Sequence, residues 1–406
     1  MGDFYQNGIV TTLHNLSQRS TDSVETELLK FSEDRRLGLI LPCLYSELET
    51  AAMPKIIEEL CRVSYLNQLI IGLDCATQEE YARALGVFSQ LPQNTKVLWN
   101  DGPRLKALDQ KLRSAKLSPD QMGKGRNVWF CMGYALGSND ADAVAIHDCD
   151  ITTYDRSLLA RLLYPVAHPQ FNYEFCKGYY ARVADGRING RVSRLLVTPL
   201  LLTLKRIFGS LEYLDYLDSF RYPLAGEMSF RRDVMTDLRI PSDWGLEIGI
   251  LSEMTRNHSN NRICQVDIAD TYDHKHQDLS PHDETAGLSR MSIDISKAIF
   301  RKLATTGIVF SQETFRTIKA TYYRLALDFV DIYKSDAEIN GLKLDLHSEE
   351  KAVELFALNL MKAGNHFLEN PTERPFIPSW NRVNSALPGL VGELLVSVEA
   401  DMNEFG

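Results

Sequence analysis

Long apolar runs are missing from this 406-residue chain. None approaches the roughly 18–20 residues a membrane-spanning helix needs, so a soluble protein with no membrane partner is expected. The N-terminus MGDFYQNGIV lacks a basic stretch followed by a long apolar one, and does not read as a secretory signal. No CxxC pair occurs. The seven cysteines (43, 61, 75, 131, 149, 176 and 264) are odd in number and scattered. Several fall in apolar runs, as small buried thiols do, which points away from disulfides and zinc and toward a reducing cytoplasm. Positive charge is also short: 44 Lys and Arg face 54 Asp and Glu, a net charge of −10. Without a basic surface to neutralise phosphates, the composition argues against a general nucleic-acid binder. It leaves room for a small phosphorylated ligand held by a few local cations.

What is present is ordinary globular material, 44% hydrophobic and 24% charged. At about 150 residues per domain, the length suits two or three domains or one large α/β body. After a polar start, Asp22 and Glu25 ahead of Leu28 and Leu29 resemble a capping box. Buried strands are expected at 37–42, 67–74, 95–101 and 143–150. Between them come apolar residues at helical spacing (47–63, with Pro54 expected to kink or restart the helix, then 77–91, 104–116 and 127–137). Strand and helix in alternation imply a mostly parallel sheet covered on both faces, with ligands beyond the carboxyl ends of its strands. The second half differs. FNYEFCKGYY (171–180) is strand-like, a glycine-rich turn at 186–190 feeds a long apolar helix, and from about 285 onward the pattern is helical.

Against that frame several groups carry chemistry. AVAIHDCD ends an apolar run at Asp148 and Asp150. In extended chain residues i and i+2 project to one side, where a magnesium or manganese ion takes one or two carboxylates and leaves other positions to phosphate and water. A solvated loop fits the same letters. His274 and His276 form the one close histidine pair, either metal ligands or exposed turn residues. GKGR (123–126) puts Lys124 and Arg126 at a helix start, where anions are favoured; it is not a P-loop. NGRVSR (189–194) offers Arg191, Ser193 and Arg194 at a second helix start. Glu227 and Glu247 lie in apolar surroundings and need partners, either sugar hydroxyls or nearby arginines.

Taken in order, LPCLYSE, LIIGLD, GKGR, HDCD, FCKGYY, NGRVSRLLVTPLL, YPLAGE, WGLEIGIL and DHKH resemble the glucosyl-3-phosphoglycerate synthases, retaining glycosyltransferases with the GT-A fold. The resemblance covers residues 37–285 and is most specific from 171 to 276. It implies an α/β fold of GT-A type, with a Rossmann-like, mostly parallel sheet and a helical C-terminal extension. The expected divisions are an N-terminal helical segment (1–36), a nucleotide-sugar-binding half (37–150), an acceptor-binding half (151–285) and a helical region (286–406). The tail is similar to the longer, non-mycobacterial branch, and intersubunit packing in a homodimer is expected of it.

The resemblance further implies a nucleoside-diphosphate glucose donor (UDP or GDP, with a mannosyl donor as the alternative), 3-phosphoglycerate as acceptor (glycerate as the alternative) and Mg2+ or Mn2+. Pro42, Leu44, Glu47 and Asp74 fall where the family holds uridine, and Lys124 near the donor phosphates. Asp150 and His274 fall on metal ligands, with Asp148 the first aspartate of the motif. Leu224, Glu227, Trp244 and Glu247 fall around the donor sugar, and Gly190, Arg191, Val192, Ser193 and His276 on the acceptor site. Ser193 replaces a threonine, Trp244 a tyrosine, Cys149 a serine, and His276 an asparagine of the mycobacterial members. Catalysis would centre on Asp150 and Lys124. Glu227 is the one tempting carboxylate for a double displacement, but its family place is sugar binding, so front-face transfer is favoured. A nucleotidyltransferase or a non-catalytic sugar-nucleotide sensor are the rivals.

Overall fold

The structure is a computed structural model that describes residues 6, 8–118, 122–274, 283, 287–372 and 376–406. Its centre is an eight-stranded sheet, labelled here in chain order: β1 (Thr11–Leu13), β2 (Leu37–Leu44), β3 (Leu66–Asp74), β4 (Thr95–Trp99), β5 (Ala143–Ile146), β6 (Phe175–Tyr180), β7 (Met228–Arg231) and β8 (Ile263–Ala269). Across the sheet they run β1-β8-β6-β7-β5-β2-β3-β4. Strand β7 is antiparallel to both neighbours, β5 and β6, and every other pairing is parallel. Near-continuous burial along β2 and β3 is what a parallel sheet covered on both faces demands, and a large hydrophobic cluster lies on each side.

Several local expectations shift. The helix Thr21–Asp34 is capped by Ser20, whose side chain accepts from Ser23 N, rather than by the Asp22–Glu25 pair. Pro54 falls in the first turn of the helix Ala52–Cys61, so the segment restarts there rather than kinks. The polar start contributes the edge strand β1, whose apolar signal is too short to read. Strand β5 stops at Ile146, four residues before Asp150. The backbone N–H of His147 still donates to Ile40 O, after which the chain turns out of the ladder. After the hairpin Val183–Ala184/Arg187–Ile188, the residues Val192–Val197 form a π-helical turn leading into the helix Thr198–Phe208. Such turns recur at functional sites.

The helical tail folds against its own chain. Trp380 stacks on Trp129 at 4.1 Å, and Phe376–Ile377 pairs with Ile240–Pro241. On the last helix, Leu390–Phe405, Glu399 pairs with Lys96 at 2.7 Å and Asp401 with Arg104 at 2.5 Å. Phe405 meets Tyr81 and Trp99 edge-on. No helix among the described residues is long and apolar enough to cross a membrane.

Candidate active site

Beyond the carboxyl ends of β2, β3 and β5 opens a cavity of about 1000 Å3. Pro42, Leu44, Glu47, Asp74, Lys124, Asp148, Asp150, Gly190, Arg191, Val192, Leu224, Trp244, Glu247 and His274 all line it. Residues up to 232 positions apart in the sequence therefore share one wall. Glu227 and Ser193 are buried and do not line it. His276 lies outside the described residues.

The D-x-D pair is split by the turn. Asp148 and Asp150 have different partners. Asp148 Oδ1 accepts the Lys124 ammonium at 2.6 Å, and Glu247 Oε1 lies 3.5 Å from the same nitrogen. Burial alone would push the Lys124 ammonium down, but Asp148 and then Glu247 hold it above its ordinary value. Lys124 opens the helix Lys124–Ser138, so the lysine and a helix N-terminus aim together at this point. Gly226 lets the loop before β7 pass behind them, since a Cβ there would lie 2.6 Å from Asp148 Oδ2 and 2.9 Å from Lys124 Nζ.

Asp150 is left free for another partner. Its Oδ1 is buried without a hydrogen bond, and its Oδ2 lies 3.5 Å from His274 Nδ1. An unspent carboxylate oxygen beside an imidazole nitrogen fits a divalent cation of the Mg2+ or Mn2+ kind. A different grouping, Cys43, Glu47 and Cys149, is the tight three-ligand set among the described residues. Two thiols are a soft donor set that does not suit those hard ions.

Beyond the end of β2, Glu47 Oε2 accepts from Leu44 N at 2.8 Å. Burial, with Asp150 and Asp148 nearby, pushes its carboxyl up to about 7. Asp74 is fixed by Asn100, which donates to its Oδ1 at 2.8 Å. Glu227 has a different setting. Tyr180 donates to its Oε2 at 2.7 Å and Tyr272 to its Oε1, and the two rings stack at 3.7 Å. Burial raises its pKa, with Asp148 adding to the effect. Beside it the fully buried Lys177 donates to Ala225 O, and burial lowers its pKa to about 8.

A second group of lining residues is cationic, and much of it was not legible in the sequence. Arg191 is held by Glu349, which accepts from Nε at 2.7 Å, and by Ser348 Oγ, 3.0 Å from Nη2. Glu349 is 1% exposed and also contacts Arg194 at 2.9 Å. Ser348 and Glu349 belong to the tail helix Leu346–Glu369. Lys343 and Arg187 belong to this lining group, side by side through a backbone bridge in which Lys343 N donates to Gly186 O at 2.7 Å. Arg182 lies between this group and the Asp150–His274 pair: its Nη2 donates to His274 O at 3.5 Å, and its Cδ would lie 3.5 Å from a Cβ at Gly190. No local pattern announces these residues.

A relative from Persephonella marina named glucosyl-3-phosphoglycerate synthase is 47% identical over 404 residues, spanning 100% of both chains. The chain belongs to the glucosyl-3-phosphoglycerate synthase family. A second member, from Methanococcoides burtonii, is 39% identical over 99% of each chain. The Mycolicibacterium smegmatis member is 24% identical over 70% of this chain and 82% of its own. The two full-length relatives share the long tail, and the mycobacterial match covers less of the chain. No protein-family model matches. Among solved structures, the Mycobacterium tuberculosis glucosyl-3-phosphoglycerate synthase in complex with Mn2+, UDP and glucosyl-3-phosphoglycerate superposes with a TM-score of 0.53 at 21% identity. It covers 74% of this chain and 89% of its own. The mannosyl-3-phosphoglycerate synthase of Rubrobacter xylanophilus gives 0.54 at 21%, over 74% and 83%. Both share the fold expected from the sequence, a mostly parallel α/β sheet of GT-A type.

Proposed function

We propose that this cavity transfers glucose, with retention, from a nucleoside-diphosphate glucose to the hydroxyl of D-3-phosphoglycerate. The supporting observation is the charge pattern of the cavity wall. One group of lining residues pairs an unspent Asp150 carboxylate with His274 beside the Lys124–Asp148 pair, and a second group, with Arg187, Arg191 and Lys343, is cationic. Full-length relatives at 47% and 39% identity carry the same activity in their names.

Asp150 and His274 would hold Mg2+ or Mn2+, and Asp148 supports that group through Lys124. The ion, when bound, supplies Lewis-acid stabilisation of the diphosphate. Glu47, Asp74, Pro42 and Leu44 receive the nucleoside, while Leu224, Trp244 and Glu247 flank the sugar. Lys124 offsets charge on the leaving phosphate from a fixed position. Arg191, with Gly190 and Val192, anchors the acceptor phosphate and aims its hydroxyl. Both Glu227 oxygens are engaged by tyrosine hydroxyls. That favours a front-face transfer, in which the departing phosphate oxygen takes the acceptor proton, over attack by an enzyme carboxylate. Glu227 then supports the cavity from behind, through Tyr180, which lines it. We also propose a homodimer in the cytoplasm; the seven cysteines are all free, as a reducing compartment keeps them, and light scattering checks the dimer.

The test is a panel of UDP-glucose, GDP-glucose and GDP-mannose against 3-phosphoglycerate and glycerate, with Mg2+ and with EDTA. Glucose transfer to 3-phosphoglycerate, with nucleoside diphosphate released only when metal is present, is expected. Release of inorganic diphosphate would instead establish nucleotidyl transfer. Donor binding without turnover on any pair would establish a sensor.

A further inference from the structure

The cationic group on the cavity wall is built in part by a segment far from every recognised motif. The loop before the helix Leu346–Glu369 carries Lys343 onto the cavity wall, and the first turn of that helix carries Ser348 and Glu349. Glu349 and Ser348 grip Arg191 along its Nε–Nη2 edge. That grip leaves Nη1 for a ligand and fixes the plane of the guanidinium. A buried carboxylate shared between Arg191 and Arg194 holds that plane more firmly than solvent could, because the ion contacts are desolvated. Lys343 and Arg187 line the same cavity, paired across a backbone bridge in which Lys343 N donates to Gly186 O at 2.7 Å. Neither makes an ion pair among the described residues. In a chain of net charge −10, two such cations together on a cavity wall call for an anion.

Resting on the functional reading above, we propose that segment 343–349 makes the acceptor subsite two-armed. Glu349 is a positioning residue that holds Arg191 for the acceptor phosphate, and Lys343, beside Arg187, receives the acceptor carboxylate. The chemical class selected is a small phosphorylated hydroxy acid with anionic groups at both ends. The tail of the longer branch is thereby part of acceptor recognition as well as a packing element.

The experiment is calorimetric binding of two probes, 3-phosphoglycerate and glycerol 3-phosphate, to the full chain in the presence of UDP and Mn2+. Glycerol 3-phosphate keeps the phosphate and lacks the carboxylate. Lys343→Ala should weaken 3-phosphoglycerate binding by about tenfold, the scale of one charge-assisted hydrogen bond, and leave glycerol 3-phosphate within about twofold. An unchanged 3-phosphoglycerate affinity, or an equal loss for both probes, would overturn the carboxylate assignment. Glu349→Gln, at an unchanged thermal midpoint, should weaken both probes and raise the acceptor KM while kcat at saturation holds. Unchanged affinities would overturn the positioning role. Should Glu349→Gln fail to fold, Ser348→Ala, which removes the second hold on Arg191, is read by the same criteria. Intact binding without turnover in the unaltered chain would sink the reaction and spare the subsite. Turnover with insensitive variants would do the reverse.

Discussion

Lys124 reaches Asp148 at 2.6 Å, and this contact divides the labour of the D-x-D motif. With Asp148 neutralised by an ammonium, the unspent oxygen belongs to Asp150, whose other oxygen faces His274. The two aspartates are unequal because the chain leaves the ladder at Ile146 and turns them to different partners.

Asp150→Ala and His274→Ala should each abolish metal-dependent transfer while leaving the thermal midpoint close to that of the unaltered chain. A Mg2+ titration of activity is the measurement. Full activity of both variants in EDTA would remove the metal from these residues.

Lys124→Ala should lower kcat by about 10²–10³-fold, the usual cost of removing one preorganised stabiliser of developing charge. Asp148, half-buried, would then lose its cation, so its carboxyl pKa should rise. Steady-state kinetics at saturating donor and acceptor reads the first effect. A carboxyl titration by NMR reads the second.

His147 sits immediately before the motif, fully buried, with neither ring nitrogen hydrogen-bonded. Burial lowers its pKa from 6.5 to about 4. The unfolded chain therefore binds the proton first, and stability is fully present above pH 6.5 and lost as pH falls through 4. The shift corresponds to about 3 kcal/mol. His147→Phe should flatten that limb of a denaturation-midpoint profile between pH 6.5 and 4. An unchanged slope would assign the acid limb to other groups.

Tyr272→Phe removes one of the two donors to the buried Glu227 carboxylate. A loss of about 1–3 kcal/mol is expected from leaving that oxygen unsatisfied, measured by urea denaturation. Glu227 should also titrate higher, since the lost hydrogen bond favoured its charged form.

Gly133→Ala tests how the tail is attached. A Cβ at Gly133 would lie 2.0 Å from Trp380 Cζ2, and Trp380 is sealed against Trp129. Overpacking should cost about 1–3 kcal/mol. A thermal midpoint equal to that of the unaltered chain would show that the tryptophan stack yields freely.

Much of this arrangement was legible in the chain itself. Strands β2, β3 and β4 and the helices between them follow from local hydrophobic period, and ligand groups at strand ends follow from parallel-sheet topology. GKGR reads as a site from its helix start, HDCD from its strand end and DHKH from its histidine pair, while LPCLYSE does so from its place in the family's motif order. Glu227 and Ser193 also read as site residues, yet folding buries both off the cavity wall. A local pattern reports that a side chain is set among apolar neighbours, but not which side of the wall it ends on.

The sequence by itself determined the α/β class, the family and many of the groups that line the cavity, because period, turn chemistry and motif order are local properties. Only the tertiary structure decided that Asp148 is taken by Lys124 while Asp150 stays free. It alone brought Lys343, Ser348 and Glu349 to Arg191, more than 150 residues away in the chain. Those pairings arise from the packing of the tail helix on the π-helical turn, and no short-range pattern of residues encodes a contact of that separation.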